Sequence, residues 1–253
     1  MAGQSACLDR QAQRQLTSVI SRDPEIVLAA QHLRHSVFAA EFGAQFDSSE
    51  PQIDRDRFDD YCDHVVVFDG ETVVATTRIL SWDGAQKAGG FYSEGEFELS
   101  GLKTLGASLA EVGRTCVHPD YRNGATIAML WNRVGEYLQE RSVKHVMGCA
   151  SISMNDGGGN AWRIYQRLAR STMAPEALQV SPTLPLPESA MAETDSNLSP
   201  VIPALIRAYV RLGARVCGQP CWDPDFNCAD IPVVLEVAAM APRYARHFMG
   251  RGR

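Results

Sequence analysis

The sequence predicts an α/β (α+β) fold in which a central sheet is flanked by helices. Three observations lead there. Short β-branched runs alternate with amphipathic stretches along most of the chain. "HVVVFDGETVVATTRIL" joins two β-rich runs through an Asp-Gly turn, the signal of an antiparallel hairpin. "EVGRTCVHPDYRNGATIAMLW" passes from a strand through a glycine-containing turn into a helix with a clean apolar stripe.

Taken in order, residues 1–20 are polar and predict a flexible tail, and a single domain is expected over 21–250. "RDPEIVLAAQHLRHSVFAAEFG" predicts the first helix, with Asp23 placed to cap it, Pro24 in its first turn and Gly43 at its end. Ile26, Ala30, Leu33 and Val37 make its core face, while Arg34, Phe38 and Glu41 project from another. An acidic stretch with Arg55 and Arg57 interleaved precedes the hairpin. "SLAEVGRTCVHP" predicts a further strand, and Gly113 within it suggests a bulge. The helix after "YRNG" is expected to bury Ile127, Leu130, Trp131, Val134 and Leu138. "VKHVMGCAS" reads as a buried strand and "AWRIYQRLAR" as a short basic helix. Six prolines crowd residues 174–203, which excludes regular structure from most of that segment and predicts a covering loop or mobile lid. "VIPALIRAYVRLGARV" returns to helix and strand, and "DIPVVLEVAAM" is the last strand before a basic tail.

With 45% hydrophobic and 21% charged residues the chain can bury a sizeable core. Its net charge of −6 argues against nucleic acid as the main partner. No apolar run approaches the ~20 residues that span a bilayer, and the N-terminus lacks the apolar core of a secretory signal. Seven scattered cysteines suit reduced thiols better than a disulfide framework, so a cytoplasmic setting is expected.

Several constellations can carry chemistry. "YRNGA" has the parts of an anion site: Arg122 supplies charge, Gly124 allows close approach, and the helix that follows presents free N–H groups. Its phosphate could belong to a nucleotide, to coenzyme A or to another pantetheine carrier, and the plain alternative is an ordinary helix start. Glu111 and Arg114 would face opposite sides of a regular strand, and a bulge near Gly113 would bring them to one side. There the carboxylate could act as a poised base, or the two could be a structural ion pair. Asp56, Asp59 and Asp63 are spaced to share a region that could receive an ammonium, or they are simply solvated. Cys217, Cys221 and Cys228 lack structural zinc spacing, and no metal is expected. Tyr165 is a candidate general acid, with a core position as the alternative.

Together these residues resemble the GNAT acyltransferase superfamily, and within it the ornithine–acyl-carrier-protein N-acyltransferases. The resemblance runs from about Leu33 to Gly250 and rests on "LRHSVFAAEFG", "DRFDDYCDHVVVFD", "EVGRTCVHPDYRNGATIAMLW", "MGCAS" and "RLGARVCGQPCWDPDFNCADIPVVL". It implies a GNAT-like fold, a mixed central sheet with a splayed pair of strands flanked by helices. It also implies transfer of a long 3-hydroxyacyl chain from acyl carrier protein to the α-amine of L-ornithine, giving lyso-ornithine lipid. The same residues resemble the acyl-homoserine lactone synthases, whose functional positions match Arg34, Phe38, Asp56, Asp59, Arg78, Glu111 and Arg114. "WDPDFNCAD" has no counterpart there and favours the ornithine branch. CoA-dependent members usually carry [QR]-x-x-G-x-[GA] at the pyrophosphate loop, whereas here Arg122 is followed by "NGAT".

Glu111 is then expected to take the proton from the attacking amine, directly or through water, with Arg114 as its ion-pair partner. Asp56 and Asp59 would meet substrate ammonium groups, Arg34 or Arg78 the carboxylate, and Phe38 would line the site. Thr115, Cys116, Val117, Arg122 and Gly124 would hold the acyl-phosphopantetheine arm between the splayed strands, with no tightly bound cofactor. An acidic carrier protein needs a local basic face, for which Arg122, Arg133, Arg141, Lys144, Arg163, Arg167 and Arg170 are candidates. The tail from Arg243 is a candidate for peripheral contact with anionic membrane. The alternatives are another amine acceptor, a CoA-dependent N-acetyltransferase, and a non-catalytic acyl-carrier- or membrane-binding protein.

Overall fold

The computed structural model describes residues 15–46, 51–192 and 200–240. The elements in chain order begin with β1 (Leu16–Ser21), α1 (Pro24–Phe42), β2 (Asp63–Asp69), β3 (Thr72–Ser81), α2 (Trp82–Ala88) and β4 (Phe97–Glu98). They continue with α3 (Ser100–Lys103), β5 (Leu109–Val117), α4 (Gly124–Glu140), β6 (His145–Ser153), α5 (Gly159–Thr172) and β7 (Ser181–Pro182). The last are α6 (Glu188–Ala192), α7 (Ala204–Leu212), β8 (Arg215–Val216), β9 (Cys221–Asp223) and β10 (Cys228–Glu236).

The main sheet runs β1-β2-β3-β5-β6-β10-β8, with β9 paired to β10. Every pair in it is antiparallel except β5–β6. Alternation along the strands divides the core into two faces. On the near face Val66, Val73 and Cys116 pack against α1, and Leu80, Leu109 and Met147 pack beneath the chain of residues 85–102. On the far face Val65, Ile79 and Val112 pack against α4, and Ala150, Ile152 and Ile231 pack against α5–α7.

The first helix forms as its signals require. The Asp23 carboxylate accepts from the N–H groups of Glu25 and Ile26, and Gly43 ends the helix at φ +69. The tail expectation fails for residues 16–20. Leu16–Ser21 pairs with Asp69–His64 as an edge strand, and Leu16 and Ile20 pack half-buried under α4. Val19, in the opposite phase, packs on the α1 side. Residues 1–14 and the basic tail lie outside the described residues. No helix among the described residues is long and apolar enough to cross a membrane.

Residues 174–192 of the proline-crowded segment form a packed strap along the β8 edge. Ala174 and Val180 donate their N–H groups to Val216 and Cys217, and Ser181–Pro182 pairs with β4. Val180 enters the near-face core, and Leu186 and Ala190 enter the far-face core.

The parallel pair β5–β6 positions the site. Leu109, Ala110 and Glu111 pair with His145, Val146 and Met147, and the ladder stops there. A Cβ on the next residue, Gly148, would lie 2.4 Å from the Val112 carbonyl oxygen, so only glycine lets the backbones meet at the point of divergence. Gly148→Ala is therefore expected to force β5 and β6 apart, costing about 1–3 kcal/mol and most of the activity. Thermal unfolding together with kcat/KM checks this.

Candidate active site

Beyond Glu111 the parity of β5 breaks. Arg78 pairs with Gly113 and Thr76 with Cys116, so Arg114 and Thr115 together oppose Thr77. The bulge is carried by Arg114 itself, which sits at φ +51, a left-handed conformation that costs a non-glycine residue about 1–2 kcal/mol. Gly113 flanks it. The extra residue turns Arg114 to the near face with Glu111, leaves Thr115 on the far face, and returns Cys116 to the α1 core.

A cavity of about 960 Å³ occupies the gap between the diverging strands and opens to both faces of the sheet. That is the upper end of the ~300–1,000 Å³ usual for small-molecule sites. Its near-face wall carries Tyr92, Ser93, Glu96, Glu111, Arg114 and Asp230. Its far-face wall is apolar, built from residues such as Val112, Leu130, Trp131, Val134, Ala208 and Leu212. Ile127 and Trp131, expected to be buried, are half-buried because they face this cavity.

Glu111 is buried and its carboxylate accepts from the Tyr92 N–H at 2.8 Å, the Ser93 N–H at 3.0 Å and the Ser93 hydroxyl. Burial raises its pKa above the usual glutamate range, against the pull of those three donors. The expected Glu111–Arg114 ion pair is absent among the described residues. Arg114 instead reaches Asp54 at 3.3 Å and Asp56 at 3.4 Å, and its guanidinium lies between the Tyr92 ring at 4.6 Å and the Phe226 ring at 4.5 Å.

The residues expected to bind substrate charges form the platform behind Arg114. Arg34 is 1% exposed and donates to Asp54 and Asp59. Arg78 grips Asp56 with two bonds of 2.6 Å and Asp59 with one of 2.8 Å. Gln31 adds a bond to Asp59 at 3.0 Å. Three guanidiniums thus neutralise three carboxylates, and Arg34, Arg78, Asp56 and Asp59 stand outside the cavity wall. Burial would raise the Asp59 carboxyl, but Arg34 and then Arg78 hold it far below the usual carboxylate range. Asp63 leaves the group altogether, bonding Arg22 and the Tyr137 hydroxyl. Phe38 does line the cavity, edge-on to Phe226 at 5.8 Å.

The turn "YRNGA" opens α4, and Asn123 caps it by accepting from the N–H groups of Ala125 and Thr126. Arg122 lies at the cavity rim, paired with Glu41 and donating to the Val117 carbonyl. Gly124 is not in the cavity wall, and nothing within 4 Å crowds the place of its Cβ. Thr115, Cys116 and Val117 all border the cavity. Tyr165 does not; it packs on Trp162, ring centres 5.1 Å apart.

Sequence reasoning missed an acidic wall opposite Arg114. Asp230 accepts from the Ser151 hydroxyl at 2.6 Å and the Cys228 thiol at 3.3 Å, and Glu96 accepts from the Cys149 thiol at 3.4 Å. Asp223 completes the group, its carboxylate capping the N–H groups of Asp225 and Phe226. Burial, opposed by the Ser151 and Cys228 hydrogen bonds, carries Asp230 up to about 6. Burial, reinforced by Asp230 and Asp223, pushes Glu96 well above its usual range. Ligand atoms of Glu96, Cys149 and Asp230 lie within 4.8 Å of one another, as do those of Asp223, Cys228 and Asp230. Burial, and after it the neighbouring carboxylates, raise the Cys149 and Cys228 thiols, and the three carboxylates suit the group to an ammonium. Asp230 was legible as the one acidic residue in the inward phase of an otherwise apolar strand, "CADIPVVL".

Residues 33–132 match the family model described as an acetyltransferase (GNAT) domain. The L-ornithine N(alpha)-acyltransferase of Rhodobacter capsulatus is 33% identical over 250 residues, covering 92% of this chain and 96% of that protein. Among solved structures, FeeM, an N-acyl amino acid synthase from uncultured soil microbes, aligns with a TM-score of 0.53 at 17% identity over 90% of this chain and 93% of its own. The acyl-homoserine lactone synthase LasI aligns with a TM-score of 0.52 at 12% identity over 94% of this chain and 96% of its own. The mixed sheet with its diverging parallel pair is the GNAT-like fold the sequence resemblance implied.

Proposed function

The chain belongs to the L-ornithine N(alpha)-acyltransferase family, and on that premise we propose that it acylates the α-amine of L-ornithine with a long 3-hydroxyacyl chain delivered by acyl carrier protein. The observation that carries the reading is the two-sided cavity, with a charged near-face wall for a zwitterionic amine and an apolar far-face chamber for a chain. The thioester carbonyl sits where β5 and β6 part. The α-amine attacks it from the near face and hands its proton to the Ser93 hydroxyl, which passes its own to Glu111. The N–H groups of the bulge from Arg114 to Cys116 hold the oxyanion. The C–S bond then breaks, the amide forms, and the departing thiolate of the pantetheine arm takes up the proton that Glu111 received, restoring the carboxylate.

Ornithine differs from simpler amino acids by a second ammonium, and the Glu96–Asp223–Asp230 wall is the complement to it. The cavity-facing edge of Arg114 meets the carboxylate, the role first expected of Arg34 or Arg78. The donor end supports a single phosphate over a pyrophosphate. Asn123 already occupies two N–H groups of the α4 start, leaving the Gly124 N–H and, on exchange from Glu41, Arg122 as the anion contacts.

The acceptor side is tested by comparing kcat/KM for L-ornithine, L-norvaline and putrescine with one acyl donor. Norvaline lacks the second ammonium and putrescine the carboxylate, so each is expected to fall about 10²-fold or more below ornithine. Norvaline acylated as well as ornithine would contradict the role given to the acidic wall.

A further inference from the structure

The far-face chamber is apolar except at one place. Among the cavity residues contributed by α4, α7 and the far side of β5, the hydroxyl groups belong to Thr115 and Tyr209. Thr115 lies on the far face because of the bulge, one residue beyond Arg114. Its hydroxyl is 2.7 Å from that of Thr77, which also approaches the Gly113 carbonyl at 3.1 Å. Tyr209 lines the same cavity from the α7 wall, and its ring lies edge-on to Trp131, centroids 5.5 Å apart. The result is a row of three hydroxyls, from Tyr209 through Thr115 to Thr77, at the head of a greasy chamber.

We propose that the Thr115–Tyr209 pair reads a hydroxyl on carbon 3 of the acyl chain and so sets donor specificity. This rests on the acyl-transfer reading and goes beyond it, because it assigns a specificity subsite. Carbon 3 is two bonds from the thioester carbonyl, and Thr115 is part of the bulge at which that carbonyl is held. A chain entering the chamber must therefore pass Thr115 at its third carbon. A hydroxyl there both donates and accepts, which suits a row whose members also do both. A methylene at the same point gains no hydrogen bond, and a 3-oxo group can only accept. In the chain-free cavity Thr115 and Thr77 satisfy each other, so an unsubstituted chain is disfavoured chiefly by the bond it fails to make. The discrimination is about tenfold rather than absolute.

The experiment uses the full-length protein, L-ornithine, and 3-hydroxy, 3-oxo and unsubstituted acyl chains of one length on the same carrier protein. The readout is the ratio of kcat/KM between donors. Wild type is expected to favour the 3-hydroxy donor about tenfold. Tyr209→Phe and Thr115→Val are each expected to bring that ratio close to one, while Thr115→Ser keeps it. A second measurement needs no turnover. Quenching of tryptophan fluorescence by 3-hydroxyacyl- and acyl-pantetheine, with Trp131 beside Tyr209, should give the same ratio in affinity. A ratio that Tyr209→Phe and Thr115→Val leave unchanged overturns the proposal, as does an equal loss on all donors. If wild type turns over no carrier-bound donor yet binds the two pantetheines with the expected ratio, the acyl-transfer reading fails and the subsite stands.

Discussion

Glu111→Gln lowers kcat for ornithine acylation by about 10²–10⁴-fold if the buried carboxylate is the proton acceptor. Glutamine keeps the size but presents an amide N–H₂ to one of the three donors around Glu111, so its structural cost is at most about 1–3 kcal/mol. Unfolding of the variant by urea separates that cost from the chemistry. The pH profile gives an independent check. Glu111 must be ionised to accept a proton, and burial raises its pKa. Wild-type activity therefore falls as pH drops through a point above the ordinary glutamate range, and this acid limb disappears from the residual rate of the variant. Ser93→Ala, which removes the relay hydroxyl but keeps the Ser93 N–H bond, should lose activity without losing the fold. Full activity in Glu111→Gln would contradict the mechanism and leave the acceptor assignment untouched.

Asp59→Asn should cost about 3–5 kcal/mol of stability, because it leaves Arg34 and Arg78 buried without their shared carboxylate. The sign of the pH dependence is fixed by the same contacts. The folded-state pKa of Asp59 is depressed, so its contribution is present above the ordinary carboxylate pKa and lost as pH falls through the depressed one. The deficit of the variant should therefore be largest near neutral pH and shrink in strong acid. Urea midpoints at several pH values measure it. Wild-type stability combined with a raised KM for ornithine would mean that Asp59 binds substrate after all, as the family resemblance first suggested.

The contrast between Glu111 and Asp59 marks what the sequence could tell. Both are carboxylates in motifs that pointed to the site, and both lie close to it. The "EVGR" stretch was informative because strand parity is a local rule, and a bulge predicts its own consequence within four residues. Asp59 and Arg34 are 25 residues apart, and nothing local says that they face each other across a buried network instead of facing a substrate. The same limit hid Ser93 and Glu96, which the turn before β4 brings to one wall with Asp230 of β10. Capping of α1 by Asp23 and Gly43 was legible because its partners are within one helical turn. Strand β1 was not, because Leu16, Val19 and Ile20 are too few apolar residues for an edge strand to stand out from a tail.

The central claim is that this cavity joins a carrier-bound acyl chain to the α-amine of ornithine. The most direct measurement incubates the purified protein with long-chain 3-hydroxyacyl carrier protein and L-ornithine, with acetyl-CoA in a parallel reaction, and weighs the products. The expected products are an Nα-(3-hydroxyacyl)ornithine and free carrier-protein thiol in equal amounts. Acetylated ornithine from acetyl-CoA, with the acyl carrier protein left intact, would contradict it.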